Sequence, residues 1–161
     1  MFVDRLMKNS KMRTAILEAF NNDMPIYAEC GGLMYLTRQI SDFNGDVYDM
    51  VGAIPAICTM EPKLQTVGYV EASPLKANVL ANPGYVMRGH EFHFSCMIPD
   101  YPDGFPWAFE IKKMRTGTVY NAGYSNRKLL ASYLHMHFAG NLDAASQFIR
   151  QCQQYRNNVN P

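Results

Sequence analysis

Apolar and polar positions recur along this chain with two different periods, and the changeover divides it into a helical front, a long β-rich middle and a helical end. Over the first twenty residues Leu6, Met7, Met12, Ile16, Ala19 and Phe20 mark stripes at helical spacing, with Ser10 placed to cap a second helical segment. Asn21-Asn22-Asp23 ends that pattern, and Pro25 opens a short apolar run with strand character. A helix is expected from Gly31 onward, carrying Leu33, Met34, Leu36 and Ile40 on its apolar face. Residues 42–49 are a polar turn region. Beyond Met50 the texture becomes short strand-like runs at 50–59, 66–72, 91–97, 107–112, 117–124 and 129–138, separated by Pro62, Pro74, Pro83-Gly84 and Pro102-Asp103-Gly104. Asn141 is placed to cap a closing helix bearing Ala144, Ala145, Phe148, Ile149 and Cys152, and the polar residues 156–161 are expected to fray. No strand precedes the first helix. A parallel sheet normally opens with one, so the pattern reads as an α/β chain cut at its front.

Length and charge narrow the class. At 161 residues, 48% hydrophobic and 18% charged, the chain is expected to be one folded domain with a real core. A net charge of +1 gives no electrostatic reason to bind nucleic acid or a membrane surface. No apolar run approaches the roughly 20 residues of a membrane span, and the N-terminus lacks a signal-peptide layout. Cys30, Cys58, Cys96 and Cys152 are scattered without a CxxC pair, which suits reduced thiols in a cytoplasmic protein better than a disulfide framework or a structural zinc site.

The chemistry concentrates at Pro25-Ile26-Tyr27-Ala28-Glu29-Cys30-Gly31-Gly32-Leu33-Met34-Tyr35-Leu36. A short buried strand, a sharp turn carrying Cys30 and a helix opening on two glycines make a nucleophile elbow with sulfur in place of oxygen. A side chain at position 31 or 32 should collide with the neighbouring strand. The amides at the helix start are placed to lower the thiol pKa and to donate to an oxyanion. A plain buried cysteine followed by a packing turn gives the same local pattern.

All four histidines lie in two clusters. Arg88-Gly89-His90-Glu91-Phe92-His93 forms one, and His135-Met136-His137 the other. If the last strand runs through, His135 and His137 share a face about 6.5–7 Å apart. One of them could be the base for Cys30, the pair could hold a metal, or each could be a satisfied structural histidine. Metal binding needs further ligands, for which only His90, Glu91 and His93 are on offer, and no metal is expected. The 88–93 segment mixes charges in a way that could hold the zwitterionic head of an amino acid or equally form a solvated strand edge.

Residues 27–36, Gly68-Tyr69, Arg88-Gly89-His90-Glu91-Phe92-His93-Phe94-Ser95 and Ala131-Ser132-Tyr133-Leu134-His135-Met136-His137-Phe138 together resemble one family, in order and over nearly the whole chain. It is the C-terminal glutamine amidotransferase domain of cobyrinic acid a,c-diamide synthase. A close relative acting on nickel-sirohydrochlorin shares these motifs. The resemblance implies a three-layer, flavodoxin-like class I amidotransferase fold, incomplete at its N-terminus, as a single partial domain over residues 1–161. It implies Cys30 as nucleophile, His135 as the residue that raises its nucleophilicity and Gly31 as an oxyanion-hole amide. His90, Glu91, His93 and His137 are candidates for holding glutamine or orienting the base. Position 137 is His where triad-type amidotransferases carry Glu, so the third member of the triad is open. The implied partners are glutamine, an ATP-binding synthetase domain and, through it, a tetrapyrrole substrate. ATP and Mg2+ belong to that synthetase domain, whose GxxxxGK[ST] loop this sequence lacks. The strand expected to complete the oxyanion hole would precede Met1, which for the isolated chain leaves a non-catalytic, synthetase-binding piece as the second reading.

Overall fold

The computed structural model describes residues 2–159. Asn160 and Pro161 of the expected frayed end lie outside the described residues, and Arg156 to Val159 are helical. The chain opens with α1 (Val3–Lys8) and α2 (Ser10–Asn21). Asn9 caps α2 in place of Ser10, its side-chain oxygen accepting from the Met12 amide at 3.2 Å. Then follow β1 (Ile26–Glu29), α3 (Gly31–Leu36) and β2 (Thr37–Ser41). The helix predicted through Ile40 therefore stops four residues early. Thr37 Oγ1 donates to the Met34 carbonyl at 2.7 Å, and residues 37–41 are taken up as a strand by parallel pairing with β4 (Ile54–Met60). Tertiary pairing here overrides an apolar spacing that suits a helix.

After β3 (Val47–Asp49) and β4 come β5 (Thr66–Pro74), β6 (Met87–His93), β7 (Ser95–Pro99), β8 (Trp107–Lys113), β9 (Val119–Asn126), β10 (Leu129–Ser132) and β11 (Leu134–His135). A 3-10 turn (Phe138–Gly140) leads into α4 (Leu142–Val159). Asn141 precedes α4, and its side-chain amide donates to the carbonyls of Arg88 and His137.

Two sheets result, one of seven strands in the order β1-β10-β9-β8-β5-β6-β11 and one of four in the order β3-β2-β4-β7. Parallel pairing occurs at β1–β10 and β2–β4, and the other ladders are antiparallel. Two predicted runs are split. The 91–97 run breaks at Phe94, where the chain leaves the larger sheet as β6 and enters the smaller one as β7. The 129–138 run breaks at Tyr133: β10 pairs with β9, whereas β11, one residue later, pairs with β6. The larger sheet must therefore curl until β6 and β9 flank the same stretch of chain.

The two faces of β10 feed two cores, as a period of two requires. Leu129 and Ala131 pack with Leu33, Leu36, Ile54 and Cys58, between α3 and the smaller sheet. Leu130 packs on the other side with Val70, Met87, Phe109, Ile111 and Leu134, closed over by Ala144 of α4. Each fully buried aliphatic side chain here contributes about 1.5–3 kcal/mol. The strand that leads into Cys30, β1, and the segment carrying His135 are thus fixed by the same strand, β10.

Candidate active site

Cys30 sits between β1 and α3 with φ 48° and ψ −106°, a backbone conformation that side-chain-bearing residues rarely adopt. Neighbouring hydrogen bonds hold it there. Its amide donates to the Ser132 carbonyl at 2.8 Å, and its carbonyl accepts from Met34 at 3.1 Å. Strain maintained by bonds on both sides of a residue is the signature of an elbow rather than of a packing turn. The two glycines after it differ from expectation. A Cβ at Gly32 would come within 3.2 Å of Ala28 Cβ, but a Cβ at Gly31 would meet nothing within 4 Å. Position 31 is thus not crowded by the strand.

Half-burial pushes the Cys30 thiol up from its ordinary value; the Gly31 amide pulls it down, and the Glu29 charge raises it further. The expected lowering by the helix start is therefore outweighed by desolvation. The balance favours the protonated thiol over the thiolate.

His135 lies on β11, just beyond β10, the strand that pairs with β1. Its Nδ1 lies 3.5 Å from Glu29 Oε2, with side chains 42% and 30% exposed, respectively. The other Glu29 oxygen accepts from the Tyr27 hydroxyl at 2.5 Å and from the Met136 amide at 3.0 Å. Burial, followed by the Glu29 contact, pushes the Tyr27 phenol far above its usual value, so it remains a donor. His137 lies beyond the end of β11, exposed, as the residue leading into the 3-10 turn. The expectation that His135 and His137 share a strand face fails because the strand ends between them.

The 88–93 segment is divided by the pleat. Arg88 faces outward and pairs with Glu71 at 3.1 Å, and His90 stands on the same side in a row of rings with Tyr69 and Phe92. Glu91 and His93 face the other way. Glu91 is 1% exposed and accepts from the Tyr120 hydroxyl. The His93 ring stacks on Tyr133 at 3.8 Å, and its Nδ1 lies 2.8 Å from the Ser95 carbonyl oxygen. Burial lowers the His93 pKa from the ordinary histidine value, so the ring is a neutral, stacked element. The Tyr133 hydroxyl bonds Ser95 Oγ at 2.7 Å and touches the Cys58 sulfur at 3.5 Å. Glu91, His93, Ser95, Tyr120 and Tyr133 line a cavity of about 230 Å³. One strand face cannot present Arg88 and Glu91 together, so the segment does not clasp a zwitterion between those two charges.

Glu29, Tyr27 and Tyr133 were not singled out by their sequence. Tyr27 and Glu29 are two residues apart on β1, which puts them on one face just before Cys30, and that spacing was a usable signal. Among the described residues no three His, Cys, Asp or Glu side chains come together to hold a metal ion, and the four cysteines are free thiols.

Residues 2–142 match the sequence profile of the CobB/CobQ-like glutamine amidotransferase domain. Among curated proteins, the chain is 36% identical over 94% of its length to a cobyrinate a,c-diamide synthase of Leptospira interrogans. It is 41% identical over 90% of its length to one of Dehalococcoides mccartyi, and 42% identical over 95% to one of a Synechococcus species. The matched part is 33%, 31% and 33% of those proteins, so the chain spans about a third of the length of the relatives it matches.

Proposed function

The chain belongs to the CobB/CobQ-like glutamine amidotransferase family, and from that premise we propose that it is the glutaminase part of an a,c-diamide synthase, supplying ammonia for amidation of the a and c carboxylates of cobyrinic acid. Membership makes it a class I amidotransferase domain of mixed α/β architecture. The observation that carries the chemical reading is the strained Cys30 at the end of β1, with the imidazole of His135 on the segment that continues β10.

In this reading the Cys30 sulfur attacks the side-chain amide carbon of glutamine as its proton passes to His135 Nε2. The negative charge that develops on the amide oxygen is met by the Gly31 N–H. His135 returns the proton to the departing nitrogen, which leaves as ammonia with a thioester on Cys30. Water, deprotonated by the same imidazole, then releases glutamate and the thiol. The sum is glutamine plus water to glutamate plus ammonia.

Ammonia would pass to a synthetase part that binds the tetrapyrrole and activates its carboxylates with ATP and Mg2+. This chain's residues do not fit those two groups: the sequence has no GxxxxGK[ST] loop, and no ion-holding cluster exists among the described residues. No step here runs through them. No helix among the described residues is long and apolar enough to cross a membrane, and the reading places the reaction in the cytoplasm.

The test is nitrogen-donor dependence with the synthetase part present. Cys30→Ala should abolish glutamine-dependent amidation and leave ammonia-dependent amidation largely intact. Equal loss with both donors would refute the assignment.

A further inference from the structure

We propose that Glu29 is the positioning residue for His135, completing a Cys–His–Glu arrangement whose carboxylate comes from the residue just before the nucleophile. The chemical role rests on the amidotransferase reading above; the placement rests on geometry alone.

The two carboxylate oxygens have separate tasks. Oε2 faces the imidazole, 3.5 Å from His135 Nδ1. Oε1 accepts from the Met136 amide at 3.0 Å, the first peptide N–H after His135, and from the Tyr27 hydroxyl at 2.5 Å. One oxygen thus holds the backbone that carries the imidazole while the other addresses its ring. Tyr27 in turn is fixed by Phe138 and Phe148, whose rings lie 5.7 and 6.3 Å away. The carboxylate cannot swing from His135 without giving up both Oε1 bonds. At 3.5 Å the contact is an ion-pair approach rather than a closed hydrogen bond, which is the usual state of such contacts before substrate tightens them.

Among the described residues Glu29 is the one carboxylate within 4 Å of a His135 ring nitrogen. With Nδ1 turned toward it, Nε2 is the nitrogen left to exchange protons with sulfur. When the thiol proton moves to Nε2, the imidazolium gains a counter-charge at Nδ1, and no proton need pass to Glu29. Nucleophile and counter-ion are consecutive residues, so the bend that exposes Cys30 also sets the reach of Glu29.

Two measurements test this. Long-range 15N–1H NMR of histidine-labelled chain reads the His135 tautomer without any need for turnover. The wild type should show the Nδ1-protonated form, and Glu29→Gln should disturb the His135 signals while His90 and His137 keep theirs. Unchanged His135 signals would overturn the proposal. Glu29→Gln retains an oxygen for Tyr27 and Met136, so the fold should survive, and Glu29→Asp serves as the conservative variant.

The second measurement is steady-state glutamine hydrolysis with the synthetase part present. Glu29→Gln should lower kcat about 10- to 100-fold with KM little changed, and Glu29→Asp should recover part of it. In a His135→Ala background the same substitution should add less than about a twofold loss. An equal loss in both backgrounds makes Glu29 a structural residue and ends the proposal, as does an unchanged kcat. If the wild type shows no Cys30-dependent hydrolysis while the NMR coupling stands, the amidotransferase reading fails and the Glu29–His135 pairing does not.

Discussion

Gly89→Ala should damage both the fold and the chemistry, because β11 passes so close to Gly89 that no Cβ fits there. A Cβ there would sit 2.5 Å from the His135 carbonyl oxygen and 2.5 Å from Leu134 Cδ1. Ordinary contact begins near 3.4 Å, so the backbone of β11 would have to retreat by about 0.9 Å. The leucine methyl can rotate away, whereas the carbonyl oxygen belongs to the backbone of His135, the proposed base. Overpacking of this kind costs about 1–3 kcal/mol, and the backbone displacement puts the expected loss near the top of that range. For a chain of this size that lowers the thermal midpoint by roughly 5–10 °C. Misplacing a catalytic group by about 1 Å costs on the order of 100-fold in rate. The assay pairs a thermal melt of the chain with glutaminase kcat measured with the synthetase part present. A melting midpoint and a kcat both at wild-type values would refute the argument, since neither the β6–β11 approach nor the position of His135 would then depend on the missing Cβ.

The two neighbouring histidines should separate cleanly. His135→Ala should remove glutamine-dependent activity by two or more orders of magnitude, whereas His137→Ala, at an exposed position past the strand end, should be mild; the reverse order in kcat would reassign the base. Alkylation of Cys30 by iodoacetamide should be slow at neutral pH and keep rising with pH beyond the range of an ordinary thiol, because burial raises the Cys30 pKa and depletes the thiolate below it. A fast rate independent of pH around neutrality, read by peptide mass spectrometry, would show a resting thiolate instead.

The elbow was legible because its constraints are local: a short strand, one bend and small residues after it leave few other readings for 25–36. His135 was brought forward as a candidate by the order of separated motifs, which carries long-range information that a single segment lacks. The breaks at Phe94 and Tyr133 were not legible, since strand-forming apolar residues continue through both points while the chain changes partner, and only the closure of the larger sheet decides where. The end of α3 at Leu36 was hidden for a similar reason. Ile40 is buried as a strand residue and falls on a helical stripe by coincidence of spacing. Glu29 was overlooked because its partner lies 106 positions further along the chain. The split of Arg88, His90 and Phe92 from Glu91 and His93 was written in the pleat and required only that the segment be a strand.

The conformation of Cys30 sets the terms on which this domain can change over generations. A residue at φ 48° and ψ −106° suits glycine better than any side-chain-bearing residue, and holding cysteine there costs about 1–3 kcal/mol of a marginal total. On the proposed reading, selection for glutamine hydrolysis is what keeps the sulfur in place. In a lineage that obtains its nitrogen from free ammonia, that opposing pressure vanishes, and the stability threshold alone then favours the change from cysteine to glycine. The substitution would take one half-buried side chain from the edge of the first core and leave the strand pairings and the contact between β6 and β11 in place. Loss of the activity is therefore open to this fold by a step that relieves backbone strain, and such a descendant would still look like an amidotransferase everywhere except at one residue.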